Sequence, residues 1–208
     1  CESAAGPGNR EAARDMAGEL KRSFNLDPLR PVLLITGASQ GARTINEAFV
    51  RLQGMIASAG WQVLHLTGQA DCERVRGAYR ESGLSAAVLP FTDRMAEAMF
   101  ASDLIVSRAG ASTLAEILAV GKPSILLPYP FHRDRHQWHN GEVLVKAGAA
   151  VLLDDLKDAS ENARQMQPIL EDILNNAAHR ERMCAAACRL GNPQAAAEIA
   201  RHLCQAAG

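Results

Sequence analysis

The chain has 208 residues, and its 22 Lys and Arg nearly balance its 23 Asp and Glu. This length allows one large domain with a sizeable hydrophobic core, while the balanced charge and an aromatic content of 4% argue against a nucleic-acid partner. The sequence contains neither an apolar run of about 18 residues, which a membrane span needs, nor a signal peptide. We therefore expect a soluble protein of the cytoplasm.

Residues 1–30 are predicted to form a linker and one helix, 11–24, because no strand-like apolar run precedes Val32. We expect this segment to be an interdomain linker with an entry helix. The domain on its amino-terminal side is then expected to be absent from this chain.

Residues 31–155 alternate between short apolar runs and helical patterns. Six runs have the length and composition of buried strands: 32–36, 61–67, 86–89, 104–107, 124–127 and 150–153. Helices are predicted between them at 42–59, 71–82, 94–101, 113–120 and 137–147. Because strands that alternate with helices form parallel sheets with right-handed crossovers, the sequence predicts an α/β fold with a doubly wound, six-stranded, Rossmann-like parallel sheet.

Residues 156–208 have a helical pattern throughout, with helices predicted at 160–175, 178–190 and 193–205 that pack on the sheet domain. The five cysteines contain no C-x-x-C pair, which predicts reduced thiols. Cys184 and Cys188 share one helical face, but no neighbouring histidine completes a ligand set, so we expect no metal site.

Polar and small residues follow four of the predicted strands. In a doubly wound sheet, ligands bind outside the carboxyl ends of the strands. The segments at this edge are the loop at Ser39, the turn at Thr92, Gly110–Thr113 and His132–Gln137. Their convergence on one crevice favours a ligand site over four unrelated turns.

The segment 107–116 combines a small-residue loop with a helix start. Ser112 or Thr113 is expected to be the helix N-cap, in front of which an anion meets free N–H groups. Glu116 follows Thr113 by three residues, and this spacing has two interpretations. Its carboxylate completes a capping box with Thr113, or it accepts hydrogen bonds from two vicinal hydroxyls of a ribose.

The loop after the fifth strand is rich in side-chain donors. Three histidines, a glutamine and an asparagine lie within residues 132–140. A merely solvated helix start does not need such a concentration of hydrogen-bonding groups, so this loop is expected to contact a polar ligand.

Three ordered motifs together resemble the GT-B glycosyltransferases, and more narrowly the MurG-type N-acetylglucosaminyltransferases of peptidoglycan synthesis. Gly37-Ala-Ser-Gln-Gly-Ala-Arg43, with Asn46, is similar to that family's second glycine-rich loop. Phe91-Thr-Asp-Arg-Met95 is similar to its uracil-contacting turn, and residues 107–140 are similar to its donor-binding signature. The resemblance covers about residues 31–154.

The resemblance implies a role for each motif residue. The diphosphate would be held by Ser39, Gln40 and Gly41, although a glycine-rich tight turn without a ligand is an alternative for this segment. The uracil would be framed by Phe91, Thr92 and Met95, for which core packing is the alternative. Arg108 would contact the sugar or form a surface ion pair instead.

The remaining implied roles concern the ribose, the phosphates and the transferred sugar. Ala111, Ser112 and Thr113 would offer N–H donors to the diphosphate or the sugar, Gly110 would belong to the same binding loop, and Glu116 would bind the ribose hydroxyls. His136 and Gln137 occupy the place of a Gln-Gln pair that hydrogen-bonds the sugar, so the first position departs from the pattern. Asn140 would brace this loop, and His132 is either a sugar contact or a residue without a role.

The resemblance also implies a reaction, the inverting transfer of N-acetylglucosamine from UDP-N-acetylglucosamine to a lipid-linked N-acetylmuramoyl-pentapeptide. The catalytic base and the lipid-facing surface would belong to the missing amino-terminal domain, so the catalytic residues are unknown and this chain alone is expected to be inactive. In the full-length protein we expect a peripheral location at the cytoplasmic face of the membrane. Gly8-Asn9-Arg10 lacks the Pro-Val of the family's linker turn, which leaves Arg10 without an assigned role.

Two other functions are compatible with the same residues. A split glycosyltransferase could use this chain as a separate nucleotide-sugar-binding subunit. A UDP-N-acetylglucosamine epimerase would have a similar fold but needs further carboxylates around the sugar, and only Asp134 is nearby in the sequence. No metal or organic cofactor is expected, because loop N–H groups meet the diphosphate and no Asp-x-Asp motif ends a strand.

Overall fold

The computed structural model describes residues 7–37, 42–131 and 134–192. Its strands are β1 (Val32–Thr36), β2 (Gln62–Leu66), β3 (Ala86–Leu89), β4 (Leu104–Ser107), β5 (Ser124–Leu126) and β6 (Ala150–Leu152). Its helices are α1 (Pro7–Ser23), α2 (Arg43–Ser58), α3 (Cys72–Ser82), α4 (Met95–Ala101), α5 (Ala111–Val120), α6 (His136–Lys146), α7 (Ala159–Asn175) and α8 (Ala177–Leu190).

The six strands form one parallel sheet in the order β3-β2-β1-β4-β5-β6. This is the strand order of a Rossmann fold, with the reversal of direction between β1 and β4. The predicted doubly wound sheet is confirmed. Every strand therefore ends at the same edge, and β1 and β4 end side by side at its centre.

The strands are apolar on both faces because helices cover both. In β1, Leu33 and Ile35 belong to one core, which also contains apolar residues of α2, α3 and α7. Val32 and Leu34 belong to a second core with residues of α4, α5 and α6. All five residues of β1 are buried, which explains why the strands appear in the sequence as continuous apolar runs and not as alternating patterns.

Local signals account for several helix ends. Gly83 and Gly121 end α3 and α5 in the left-handed conformation, with φ of 72° and 63°. Asp158 caps α7 by accepting hydrogen bonds from the N–H groups of Ser160 and Glu161. The first helix begins at Pro7, four residues before the predicted start. The predicted helix 193–205 lies outside the described residues.

The last two helices complete the layers of the sheet. Met166 and Leu170 of α7 are fully buried in the first core, and Ala186 and Ala187 of α8 lie in the second.

The division of the chain near residues 30 and 155 stays a prediction. The expectation of reduced thiols is wrong for Cys188, which is disulfide-bonded. None of the described helices is long and apolar enough to span a membrane.

Candidate functional site

The parts of the predicted ligand segments that the structure describes lie at the carboxyl edge of the sheet, as the strand order requires. The turns after β3 and β4 are described and carry Thr92 and Gly110. The loop after β5 is described except at residues 132–133 and leads into α6, which carries Gln137. The loop after β1, with Ser39, Gln40 and Gly41, lies outside the described residues, as does His132. The site is therefore built here from three of the four predicted loops.

The start of α5 differs from the prediction. The helix begins at Ala111, and its N-cap is Gly110, which has no side chain to cap the free N–H groups. Thr113 is thus the third helical residue, so the proposed capping box with Glu116 does not form. The uncapped N–H groups of Ala111, Ser112 and Thr113 point out of the helix start, where they can bind an anion.

Glu116 lies in the second turn of α5 and is exposed. Its side chain has no hydrogen bond or ion pair to any residue that the structure describes. Side chains of a helix lean towards its amino terminus, which here faces the carboxyl edge of the sheet. With the capping box excluded, binding of a ligand hydroxyl is the remaining one of the two predicted roles.

Gly110 leaves space in front of this helix start. Its backbone conformation, φ −68° and ψ 143°, is open to any residue. A Cβ placed on it would have only Thr113 Oγ1 nearby, at 3.9 Å, among the described atoms. Neither backbone strain nor internal packing therefore requires glycine here, and close approach of a ligand is a physical reason for it.

Arg108 has a different role from both predicted ones. It is buried, and its guanidinium forms an ion pair with Asp155, with Nη2 2.8 Å from Oδ2. Nη1 donates to the carbonyl oxygens of Leu127 and Pro128 at 3.0 and 3.2 Å. Arg108 is therefore neither a surface ion pair nor a side chain directed into the crevice. It turns inward because three acceptors, distant from it in sequence, satisfy its donors.

The turn between β3 and α4 separates its three predicted residues. Phe91 is 71% exposed, so core packing does not explain it. Thr92 uses its side chain within the turn, where Oγ1 accepts a hydrogen bond from Arg94 N at 3.0 Å. Met95 is partly buried against the second core, as its alternative interpretation predicted. Of the three side chains, Phe91 has the exposed face that a planar base could cover.

Residues at the start of α6 hold the preceding loop in place. Gln137 Oε1 accepts a hydrogen bond from Tyr129 N at 2.9 Å. Since an amide oxygen only accepts, the Gln137 amide nitrogen is the group left to donate to a ligand. His136 Nδ1 lies 2.8 Å from Asp134 Oδ1. A carboxylate accepts, so Nδ1 is the donor and Nε2 is the acceptor of the neutral ring.

Asn140 does not brace this loop through the residues that the structure describes. It lies in the second turn of α6 and is partly exposed, with no side-chain hydrogen bond in the described part of the chain. Gln137 supplies the bracing contact that was predicted for Asn140. The left-handed conformation of Arg135, with φ 50°, places the helix start directly after the loop.

A cavity of about 420 Å³ adjoins Gln137, between the loop after β5 and the loop after β6. Its wall includes Tyr129, Trp138, Asp155 and Leu156. A larger groove of about 780 Å³ lies at the opposite edge and is lined by Asp103 and Pro123, which precede β4 and β5. We place the site at the carboxyl edge because ligands of such sheets bind there and the predicted residues converge there.

Sequence reasoning missed Asp155 and, apart from Asn46, a buried polar cluster at the carboxyl end of β2. Asp155 follows β6 at the same sheet edge, so the position rule that found the other loops could have found it. In the cluster, His65 Nδ1 lies 2.9 Å from Tyr79 Oη and Nε2 lies 3.0 Å from Asn46 Oδ1. Asn46 Nδ2 donates to Thr67 O and Asp71 Oδ2, both at 2.9 Å.

The described residues contain no group of three or more His, Cys, Asp or Glu that could hold a metal ion.

The pKa values of Asp155 and Asp71 both lie below the usual value of an aspartate. Burial raises the pKa of Asp155, but hydrogen bonds from Asn162 and Lys157, the charge of Arg108 and the Thr44 hydroxyl together hold it below the usual value. The carboxylate thus stays ionised as the partner of Arg108.

Comparison with known proteins identifies relatives of this architecture. The model of the family described as "Glycosyltransferase family 28 C-terminal domain" matches residues 32–202. The chain is 44% identical over 168 residues to a UDP-N-acetylglucosamine--N-acetylmuramyl-(pentapeptide) pyrophosphoryl-undecaprenol N-acetylglucosamine transferase of Nitratidesulfovibrio vulgaris, covering 80% of this chain and 45% of that protein. It is 44% identical over 173 residues to the transferase of the same name from Anaeromyxobacter dehalogenans, covering 82% of this chain and 44% of that protein.

Among solved structures, MurG of Acinetobacter baumannii superposes with a TM-score of 0.69 at 27% identity, covering 86% of this chain and 51% of that chain. A UDP-N-acetylglucosamine 2-epimerase superposes with a TM-score of 0.56 at 16% identity, which shows a shared fold alone. The chain spans about half the length of the curated relatives it matches.

Proposed function

Because the chain belongs to the family of glycosyltransferase family 28 C-terminal domains, we propose that it is the donor-binding half of an inverting N-acetylglucosaminyltransferase. The donor is UDP-N-acetylglucosamine and the acceptor is a lipid-linked N-acetylmuramoyl-pentapeptide of peptidoglycan synthesis. The observation that carries this proposal is the uncapped start of α5 beside an exposed Glu116 at the switch point of the sheet. The names of the similar transferases support the choice of donor and acceptor.

The nucleotide lies across the carboxyl edge in this proposal. The N–H groups of Ala111, Ser112 and Thr113, with the loop at Ser39, Gln40 and Gly41, bind the diphosphate. Glu116 accepts hydrogen bonds from both ribose hydroxyls, because an ionised carboxylate has two oxygens that each accept. Gly110 has no side chain to obstruct the approach of the phosphate to the helix start.

The two ends of the donor contact separate turns. The uracil packs on the exposed ring of Phe91, while the backbone at Thr92 meets its polar edge. The sugar lies at the start of α6, where the Gln137 amide nitrogen donates and His136 Nε2 accepts. Each residue then reads one hydrogen-bonding type, so the two together select for the orientation of the sugar hydroxyls and the acetamido group.

The chemistry that these residues perform is stabilisation of the leaving group. As the glycosidic bond breaks, negative charge develops on the UDP diphosphate. Preorganised N–H groups at a helix start stabilise such charge without a metal ion. The base that takes the proton from the acceptor hydroxyl, and the surface that meets the lipid, would come from the additional half that the relatives have. A peripheral position at the cytoplasmic face of the membrane belongs to the same proposal.

Calorimetric titration of this chain with UDP, UDP-N-acetylglucosamine and ADP tests the proposal. We expect saturable binding of both uridine nucleotides and weaker binding of ADP. The variant Glu116→Ala should lose about 1.5 to 3 kcal/mol of affinity for both uridine nucleotides, the range for a hydrogen bond to a charged group. Glu73→Ala is the matched control. Glu73 is an exposed glutamate in the first turn of α3. This helix follows β2, and the loop between them has no proposed contact with the nucleotide.

Absence of uridine-nucleotide binding would overturn the proposed function. Equal affinity of the Glu116→Ala variant and the unaltered chain would remove the ribose role of Glu116. If that variant lowered only the melting temperature, Glu116 would have a structural role in α5.

A further inference from the structure

Five segments at the carboxyl edge are joined by one buried ion pair. Arg108 follows β4, and Asp155 follows β6, and their side chains are 9% and 1% exposed. Arg108 Nη1 binds the carbonyl oxygens of Leu127 and Pro128, where the loop after β5 begins. The pair therefore links the ends of three strands.

Asp155 extends these links to two helices. Its Oδ2 accepts a hydrogen bond from Thr44 Oγ1 at 2.9 Å, and Thr44 is the second residue of α2, directly after the glycine-rich loop. Its Oδ1 accepts from Asn162 Nδ2 at 2.7 Å and from Lys157 N at 2.9 Å. With the contact to Arg108, each carboxylate oxygen has two donors, which is the full acceptor capacity of the group.

Stability alone does not explain why a charged pair occupies this position. Removing two charges from water carries a desolvation cost that their attraction often fails to exceed, so an apolar pair of similar volume is frequently as stable. A planar guanidinium that binds two carbonyl oxygens and a carboxylate has one other property, namely fixed geometry. Together with Asp155, it holds the ends of β4, β5 and β6 and the start of α2 in a single relative arrangement.

We propose that Asp155, acting through Arg108 and Thr44, is a positioning residue that holds the start of α2 and the segments after β4 and β5 in the arrangement that binds the donor. This inference rests on the proposed function. In this proposal neither the Asp155 nor the Arg108 side chain contacts the donor. The starts of α2 and α5 both lack a side-chain cap, so in the proposed site both can offer N–H groups to the diphosphate, and their separation must match its size. Asp155 bonds directly to α2 and, through Arg108, to the segment that leads into α5.

The test combines a ligand-free and a ligand-dependent measurement on the 208-residue chain. Hydrogen exchange is followed at two amides, Tyr129 N, bonded to Gln137 Oε1, and Asn46 N, bonded to Ala42 O. The affinity for UDP is measured by calorimetry well below the melting temperature. The variants are Asp155→Asn, Thr44→Val and Thr44→Ser, of which the last keeps the hydroxyl.

Asp103→Asn is the matched control. Asp103 Oδ2 also accepts two hydrogen bonds, from Lys21 Nζ at 2.9 Å and Val32 N at 2.8 Å, but it lies at the opposite edge of the sheet. The control should lower the melting temperature and leave both the UDP affinity and the exchange of the two amides unchanged. It therefore separates loss of a charged contact in general from loss of this one.

We expect Asp155→Asn to speed exchange at both amides by about tenfold or more and to weaken UDP binding roughly two- to thirtyfold. Thr44→Val should do the same at Asn46, and Thr44→Ser should match the unaltered chain. If Asp155→Asn does not fold, the two Thr44 variants decide. Unchanged exchange and affinity in the variants would overturn the positioning role. Failure of the unaltered chain to bind UDP would overturn the proposed function instead, and the exchange data would still decide whether Asp155 couples the loops.

Discussion

Acidification should destabilise this protein through His65 in particular. The imidazole is completely buried below the site, and burial lowers its pKa from 6.5 to about 3, although the charge of Asp71 acts in the opposite direction. The hydrogen bonds explain why the neutral ring is required. Asn46 Oδ1 can only accept, so Nε2 donates to it and Nδ1 accepts from the Tyr79 hydroxyl. A second proton would bind at Nδ1, which could then no longer accept the hydrogen bond from the Tyr79 hydroxyl.

The sign of the effect follows from the two protonation states. Between pH 6.5 and 3 the unfolded chain binds a proton at His65 that the folded protein does not, so the free energy of unfolding falls as the pH is lowered. The stabilisation is fully present above pH 6.5 and is lost progressively towards pH 3. One pKa unit corresponds to about 1.4 kcal/mol, so lowering the pH from 6.5 to 4 should cost about 3 kcal/mol through this group alone.

Urea unfolding at a series of pH values, followed by the fluorescence of the buried Trp61, measures this loss. Carboxylates also titrate in this range, and the variant His65→Gln isolates the histidine because it retains those carboxylates. The unaltered protein should lose about 3 kcal/mol more than the variant between pH 6.5 and 4. Above pH 7 the two curves should run parallel, which is the internal control. Parallel curves down to pH 4 would refute the argument.

Three further predictions concern the ligand site. Gly110→Ala should weaken UDP binding about tenfold or more while leaving the melting temperature unchanged, since the backbone there accepts alanine without strain. Gly191→Ala is the control. It should lower the melting temperature and leave UDP binding unchanged, because the added Cβ would lie 2.6 Å from the carbonyl oxygen of Leu118. An unchanged melting temperature would contradict this packing argument. His136→Ala should cost roughly 0.5 to 1.5 kcal/mol for UDP-N-acetylglucosamine and nothing for UDP, whereas His136→Gln should keep the sugar contact; equal losses for both ligands would make His136 a loop-shaping residue. A chelator should leave the calorimetric affinity for UDP unchanged, and loss of binding would show that a divalent cation is needed.

The sequence was sufficient to predict the order of the elements and the edge of the sheet at which the described candidate residues lie. Strands covered on both faces must be apolar throughout, so each appears as a short apolar run, and parallel strands place all their carboxyl ends together. Helix starts were less predictable. Ser112 and Thr113 were plausible caps for α5, yet the helix begins at Ala111, because a local preference for capping is worth little compared with the packing of the helix on the sheet.

Within the site, the residue types and their positions after strands were determined by the sequence, but the directions of the side chains were not. Glu116 was predicted at the site, and only the position of the helix start removed its capping alternative. In the sequence, Arg108 has the features of a ligand contact, because it is a cationic residue directly after a strand. In the fold its side chain points inward and pairs with Asp155. A buried guanidinium is stable only where several acceptors surround it, and these acceptors come from strands that become neighbours when the sheet forms. The tertiary structure therefore decided which of these charged residues is exposed at the start of α5 and which form a buried pair between loops.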